Sequence, residues 1–341
     1  MQELSPEKLE TLEDAARYLE GLINHERRPG FDYARLDLGS VTALLEAVGR
    51  PQDSLSILHV AGSKGKGSTC LFAEAILLEL GDSVGTFTSP HLESWTERFR
   101  VGGRAIDDAK LVAAVDRVRP QVEALRAGPA ETRPSFFDAT TAVAILLFAE
   151  AGVQHAVLEV GLGGRLDSTN VVEPAVTCIT SIELEHTDKL GDTEAAIAAE
   201  KAGILKPGAP LILGEVRGEA EQVIRARAVE VGAPVRAFGE AFDVVRAREC
   251  NDHEVLPWNE QVLCFRARPD FGFDARLSMS GRPALVNAAL AVECIRALGK
   301  HSDPDIARAA QEALAKRSLP GRIEILKGDP DVIIDSAHTT Q

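Results

Sequence analysis

Short apolar runs and stretches of helical periodicity alternate along most of this chain. The apolar runs predict buried strands over residues 58–61, 84–88, 155–160, 175–182, 210–214 and 234–237. Apolar positions at helical spacing predict helices over residues 6–24, 40–48, 66–80, 107–127, 137–152, 193–203 and 219–231. The first helix would begin at Pro6, with Ser5 as its cap. Such alternation is typical of a doubly wound α/β fold around a mostly parallel sheet.

The pattern changes after Phe242. From there to Ser280, short alternating runs are separated by turn residues, which predicts a small antiparallel appendage. Helical spacing resumes afterwards and predicts two further helices, over residues 283–298 and 303–315.

A domain boundary is expected near the end of the sequence. The tripeptide LPG at residues 319–321 interrupts the helical pattern, since proline and glycine end helices. Beyond it, apolar runs at 322–326 and 332–335 predict the opening strands of a second α/β domain. We therefore predict one domain over residues 1–318 and the truncated start of another over residues 319–341.

The stretch LHVAGSKGKGST, from Leu58 to Thr69, joins a predicted strand to the next helix through a loop rich in glycine and lysine. Glycines let backbone N–H groups approach a polyphosphate, and the start of the following helix is electropositive. Lys66 adds a mobile charge. The match to the phosphate-loop pattern G-x-x-x-x-G-K-[ST] is imperfect. Val60 replaces its first glycine, and Gly67 separates the lysine from the serine. The alternative is a solvated turn.

Polar side chains also follow other predicted strands. Ser89 and His91 follow the second strand, Glu159 lies near the end of the third, and Glu185 and His186 follow the fourth. Ligands of open α/β sheets bind at the carboxyl ends of the strands, so these residues should lie near the glycine loop. A carboxylate placed there suits a nucleotide-bound Mg²⁺. The alternatives are a Ser-Pro turn with a surface histidine, and a surface glutamate.

Composition narrows the class of protein. With 341 residues and 45% hydrophobic content, the chain can bury a large core. It exceeds the length at which a single hydrophobic core usually stops growing, so we expect more than one domain. A net charge of −15 argues against nucleic acid as a partner. Five cysteines without a C-x-x-C pair suggest thiols in a reducing compartment, with neither a disulfide framework nor a zinc site. No apolar run is long enough for a bilayer and the start is acidic, so we expect a cytoplasmic protein without membrane contact.

Several motifs together resemble the folylpolyglutamate synthase family, also called tetrahydrofolate or dihydrofolate synthases, of the Mur ligase superfamily. HVAGSKGKGST is similar to the family's HVAGTNGKGS loop. The motifs TSPHL, LEVGLGGRLDSTN, EHTDKLG, EKAGILKPG and PGRIE follow in the family's order. The glycines of GLGGRL alone could suggest a dinucleotide site, but the last glycine of that fingerprint is missing. The resemblance covers nearly the whole chain and implies a phosphate-loop domain of the Mur ligase central type over residues 1–318.

The resemblance implies binding sites for ATP and for a pterin or folate. The expected nucleotide-binding residues are Gly65, Lys66, Gly67, Ser68, Asn287, Arg322, Asp335 and His338. The residues expected beside the pterin or folate are Ser135, Phe136, Phe137, Asp138, Leu166, Asp167 and Ser168.

The resemblance also implies a metal site and a modified lysine. Ser89, Glu159 and His186 would hold Mg²⁺. Lys201 would carry a carbamate, which turns an amine into an anionic oxygen ligand beside the metal. With Lys66, Glu159 and His186, it would complete the catalytic set. From its spacing alone, Lys201 is a solvated lysine near the end of a helix.

The implied reaction is ATP-dependent amide formation. ATP would phosphorylate a carboxylate of a reduced folate, and the amine of L-glutamate would displace the phosphate. Whether dihydropteroate is also a substrate stays open. Two alternatives remain, namely a Mur-type ligase acting on a peptidoglycan precursor and a nucleotide-binding protein without catalysis. A monomer is the expected state.

The sequence departs from the family pattern in several places. Lys64 replaces an asparagine of the loop, Asp138 replaces a glutamate, and Glu185 replaces an aspartate. The terminal DSAHTTQ resembles the family's DGAHNP without its Asn-Pro. Because most of the second domain is missing from the match, we expect a chain ending at Gln341 to bind ATP weakly and not to turn over.

Overall fold

A computed structural model describes residues 8–24, 33, 36–129, 132–245, 261–316, 324–326, 328 and 332–334. Its centre is an eight-stranded sheet with the strand order β4-β3-β2-β5-β1-β6-β7-β8. The strands are β1 (Ser56–Ala61), β2 (Val84–Phe87), β3 (Phe99–Val101), β4 (Arg104–Ala105), β5 (His155–Glu159), β6 (Val176–Ile179), β7 (Leu211–Leu213) and β8 (Val235–Ala237). From β2 to β8 all neighbouring strands are parallel, whereas β3 and β4 extend one edge antiparallel.

Helices cover both faces of this sheet. They are α1 (Leu12–Glu20), α2 (Gly39–Ala47), α3 (Lys66–Glu79), α4 (Asp108–Arg126), α5 (Phe136–Glu150), α6 (Thr187–Leu190), α7 (Glu194–Ala202), α8 (Gly218–Val231), α9 (Arg282–Leu298) and α10 (Asp303–Lys316). Side chains of α3, α9 and α10 form one core with the sheet. Those of α1, α2, α4 and α5 form a second core, and those of α7 and α8 form a third.

Burial on both faces explains why the central strands read as continuous apolar runs. In β1, Leu58 and Val60 belong to the core beneath α3 and α9. Ile57 belongs to the opposite core, which contains α5. Successive side chains of a strand point to opposite faces, so both sets of positions are mainly apolar. His59 is the buried polar exception in β1.

The small antiparallel appendage is confirmed as a three-stranded sheet in the order β11-β10-β9. Its strands are β9 (Phe242–Val245), β10 (Gln261–Ala267) and β11 (Phe271–Leu277), and they pack on the same core as α9 and α10. Strands β12 (Glu324–Leu326) and β13 (Val332–Ile334) form an antiparallel pair close to the predicted positions. Whether they open a second domain stays a prediction.

Two expectations are wrong, one about the start of a helix and one about a cysteine. Helix α1 begins at Leu12 rather than Pro6, because Thr11 caps it: the Thr11 hydroxyl accepts from the Asp14 N–H, and the Asp14 carboxylate accepts from the Thr11 N–H. Ser5 lies outside the described residues. Cys264 is disulfide-bonded, so the expectation that every cysteine is a free thiol fails there.

No helix in the described part of the chain has the length and apolar character needed to cross a bilayer.

Candidate functional site

The glycine loop leaves the carboxyl end of β1 and leads directly into α3. Gly65, which precedes α3, has a φ of 83°, a conformation that favours glycine. A Cβ atom at Gly65 would lie 2.3 Å from Oδ1 of Asn287, on α9. Absence of a side chain therefore lets α9 approach the loop, and the structure brings Asn287 beside it as expected. The backbone N–H groups at the start of α3 lie next to this loop and are available to a phosphate group there.

The loop is held from the neighbouring strand β6. The Thr180 hydroxyl donates to the carbonyl of Lys64, and the Lys64 N–H donates to the Ser181 hydroxyl over 3.0 Å. A Cβ atom on Gly62 would collide with Thr180 Oγ1. These contacts fix the loop without using the N–H groups at the start of α3.

Two lysines converge on one carbonyl of this loop. Lys66 Nζ donates to Gly62 O over 2.9 Å, and Lys201 Nζ donates to the same oxygen over 3.1 Å. Lys201 also pairs with Glu185, with 2.8 Å between Nζ and Oε1. Only 2% of Lys201 is exposed, so the alternative of a solvated helix-end lysine is wrong.

Burial lowers the pKa of Lys201 to about 8, and the charge of Lys66 adds to this effect while Glu185 opposes it. Burial by itself would raise the pKa of Glu185, but Lys201 and then Lys66 hold it below its ordinary value. The pair therefore combines an ionised carboxylate with an amine that is unusually easy to deprotonate.

Glu159 lies at the carboxyl end of β5, against the glycine loop. Its Oε2 accepts from the Ser89 N–H over 3.1 Å and would lie 3.3 Å from a Cβ on Gly67. Glu159 is buried, whereas His186 is exposed at the start of α6 with a φ of 45°. Glu159 and Ser89 thus come together at the phosphate loop, as the sequence predicts.

The carboxylate oxygens of Glu159 suit Mg²⁺. This ion usually takes one or two carboxylates and completes its shell with water and phosphate. Within the described ranges, no group of three or more His, Cys, Asp or Glu side chains has the arrangement of a metal site. In that part of the chain there is therefore no metal cage built from three or more such side chains.

A cavity lies beside the loop that follows β5, residues 160–168, called the loop after β5 below. Its lining includes most of the residues expected at the pterin or folate site, namely Ser135, Phe137, Asp138, Leu166, Asp167 and Ser168. The Asp138 carboxylate accepts from the Ser135 N–H over 2.8 Å and from the Ser168 hydroxyl over 2.6 Å. This network ties the start of α5 to the loop after β5.

Phe136 does not line that cavity. Its ring packs edge-on against Trp95 with 5.7 Å between ring centroids. The Arg98 guanidinium lies over the same two rings and donates to His91 Nδ1 over 2.8 Å. Adjacent positions at the start of a helix point in different directions, which explains why Phe136 and Phe137 separate.

The sequence did not indicate other residues of the cavity, which are Asn24, Tyr33, Leu36, Asp37 and Leu162. Tyr33, Leu36 and Asp37 belong to the stretch between the predicted helices 6–24 and 40–48, which carries no strong periodic pattern. The expected nucleotide contacts Arg322, Asp335 and His338 lie outside the described residues.

Comparison with known proteins places this geometry in a family. The family model of the Mur ligase middle domain matches residues 60–295, which is more than half of the chain. The doubly wound sheet and its phosphate loop therefore define an ATP-binding domain of the Mur ligase type.

Three relatives narrow the class further. A dihydrofolate synthase/folylpolyglutamate synthase of Bacillus subtilis is 38% identical over 331 residues, which make up 96% of this chain and 74% of that protein. Folylpolyglutamate synthase of Mycobacterium tuberculosis, solved with ADP and AMPPCP, gives a TM-score of 0.82 at 32% identity, covering 96% of this chain and 71% of that one. A folylpolyglutamate synthase complex with AMPPCP and folate gives 0.84 at 29% identity, covering 96% and 77%. The chain belongs to the folylpolyglutamate synthase family of Mur ligases, as its motifs suggested.

Proposed function

We propose that this chain is the ligase part of an enzyme that uses ATP to join L-glutamate to a reduced folate. The observation that supports this proposal most directly is that two sites lie at the carboxyl ends of neighbouring strands of the sheet. The glycine loop with Lys66 follows β1, and the cavity lined by Asp138 and Ser168 adjoins the loop after the neighbouring strand β5. Relatives solved with an ATP analogue, one also with folate, support this pairing of ligands.

In the nucleotide half, Lys66 leaves the Gly62 carbonyl and neutralises the phosphates of ATP. The amides of Gly65, Gly67 and Ser68 bind phosphate oxygens at the start of α3. Mg²⁺ would be held by Glu159 with Ser89 and His186, and it would supply further neutralisation of charge on the transferring phosphoryl group. Asn287, on α9, lies beside Gly65 of the loop and would add a further contact to the nucleotide.

In the acceptor half, a folate carboxylate attacks the terminal phosphate, which gives an acyl phosphate and ADP. The glutamate amine then attacks the acyl carbon, the C–O bond to phosphate breaks, and an amide forms. Phe137 and Leu166 offer apolar surface to a ring system in the cavity, while Asp138 and Ser168 offer hydrogen bonds. Exclusion of water by such a cavity protects an acyl phosphate from hydrolysis.

Lys201 is proposed to carry a carbamate when the enzyme is active. Its buried amine and lowered pKa favour the neutral form that reacts with CO₂. The unmodified lysine instead pairs with Glu185, so modification requires that this contact be broken. The resulting oxygen ligand would lie beside the loop, where Lys66 is close enough to stabilise its charge.

A second candidate activity, formation of dihydrofolate from dihydropteroate and glutamate, is favoured by the Bacillus subtilis relative, whose name includes it. Both reactions use the same acyl-phosphate chemistry and differ in the acceptor alone.

The test is ADP release by the complete gene product while each substrate is omitted in turn. We expect ADP formation to require both L-glutamate and a pterin carboxylate, either tetrahydrofolate or dihydropteroate. A peptidoglycan precursor should not replace the pterin. ADP formation that does not require the pterin, or that requires the peptidoglycan precursor instead, would assign the chain to another class of Mur ligase.

A further inference from the structure

A buried histidine connects the two halves of the site. His59 lies in β1, just before the glycine loop, and its side chain is fully buried. His59 Nε2 lies 2.8 Å from the hydroxyl of Thr169, in the segment that follows the loop after β5. Neither residue belongs to the ATP, metal or folate sets assigned above.

The direction of this hydrogen bond follows from its neighbour. The Thr169 hydroxyl donates its one proton to Asp167 Oδ1, and a carboxylate can only accept. The hydroxyl must therefore accept from His59, so Nε2 carries the hydrogen. His59 Nδ1 is buried and has no hydrogen-bond partner among the described residues, as a neutral ring allows. Burial lowers the pKa of His59 to about 3, which keeps the ring in this form.

Asp167 is the end of the chain of hydrogen bonds, and it organises the loop after β5. Its Oδ2 accepts from the N–H groups of Gly161 and Leu162 over 3.0 and 2.9 Å. Its Oδ1 accepts from the N–H and the hydroxyl of Thr169. An ionised carboxylate can accept all four of these hydrogen bonds. Asp167 thus holds the loop that presents Leu162 to the cavity.

We propose that His59 is a positioning residue for the folate half of the site, acting through Thr169 and Asp167 on the loop after β5. The same strand, β1, bears His59 and the glycine loop, so the hydrogen bonds fix the folate-side loop relative to the phosphates. The inference rests on the proposed function and adds a determinant of folate affinity that touches none of the three substrates.

The first test compares His59→Leu with His59→Gln in the complete gene product. Leucine keeps the apolar bulk and removes the donor, whereas glutamine can place an amide N–H near Thr169. We expect His59→Leu to raise KM for the folate substrate about three- to tenfold, the effect of losing one hydrogen bond. KM for ATP should stay near the wild-type value, and His59→Gln should restore most of the folate KM.

If His59→Leu does not fold, a second pair of variants, at Thr169, tests the positioning role. Thr169→Val removes the hydroxyl at nearly constant volume, and Thr169→Ser retains it. The valine variant should raise the folate KM as His59→Leu does, and the serine variant should not. Where both single variants fold, the double variant His59→Leu/Thr169→Val should be no worse than either, because the two changes break the same chain of hydrogen bonds.

Equal rises in both KM values, an unchanged folate KM, or failure of the conservative variants to restore it would overturn the positioning role. Failure of the proposed function is seen separately, because the wild-type protein would then show no pterin-dependent release of ADP.

Discussion

At the scale of single residues, Lys201 shows most clearly what residue spacing alone could not indicate. Its spacing near the end of α7 is typical of a solvated lysine, yet the structure buries it against Glu185 and the Gly62 carbonyl. Burial of this kind depends on tertiary packing, since the loop after β5 covers α7 through Gly164. By contrast, Lys66 and Glu159 were predictable because each has a fixed place relative to a strand end.

Replacement of Lys201 by alanine separates catalysis from packing. We expect Lys201→Ala in the complete gene product to lower turnover at saturating ATP by about 10- to 100-fold, as losses near a metal site commonly do. Short-chain carboxylates should partly restore turnover by occupying the vacated oxygen position. The measurement is kcat with and without added carboxylate.

Lys206 provides a matched control. Lys206 is half-buried, whereas Lys201 is almost fully buried, and burial lowers the pKa of both. Lys206 donates to the Asn170 carbonyl and belongs to no proposed site. Lys206→Ala should cost some stability and leave turnover insensitive to carboxylates. Wild-type rates for Lys201→Ala would show that the carbamate role is wrong.

At the scale of elements, most strands and helices were predictable, because doubly buried strands and amphipathic helices leave strong periodic signals. Strands β3 and β4 were missed, since three and two residues are too few to show a period. The start of α1 was misplaced because the capping box of Thr11 and Asp14 overrides the apolar pattern before it. The loop after β5 was recognised as a motif, but its contacts are visible only in the structure.

Gly164 tests the packing of that loop on α7. A Cβ atom there would lie 2.7 Å from the Glu200 carbonyl oxygen and 2.9 Å from Lys201 Cα. Gly164→Ala should therefore push α7 away, lower the free energy of unfolding by about 1–3 kcal/mol, and reduce turnover because Lys201 moves. Denaturant titration and kcat together measure the two effects.

Gly232 is the control, since it ends α8 with a φ of 71° and a Cβ atom there would meet no described atom within 4 Å. Gly232→Ala should cost about 1 kcal/mol from backbone strain, with turnover unchanged while the protein is folded. If Gly164→Ala lost stability without losing turnover, the link between the loop and Lys201 would be refuted.

At the scale of the whole molecule, the fold class followed from the alternation of apolar runs with helical periodicity, the phosphate loop from its glycines and lysines, and the family from the order of motifs. The shape of the acceptor cavity did not, because Tyr33 and Asp37 come from a stretch without periodic pattern and meet the loop after β5 only in the folded chain. The proposed division into residues 1–318 and 319–341 also remains a prediction. The proposed ATP and acceptor sites follow the neighbouring strands β1 and β5, so the sheet would set the distance between the two ligands.

The central claim is that ATP at the glycine loop phosphorylates a carboxylate of the acceptor in the adjoining cavity. The direct measurement uses a reduced folate whose reacting carboxylate carries a heavy oxygen isotope at both oxygens, turned over by the complete gene product with ATP and L-glutamate. The account predicts one labelled oxygen in each released phosphate, with the other retained in the new amide. Amide formation with unlabelled phosphate would contradict it.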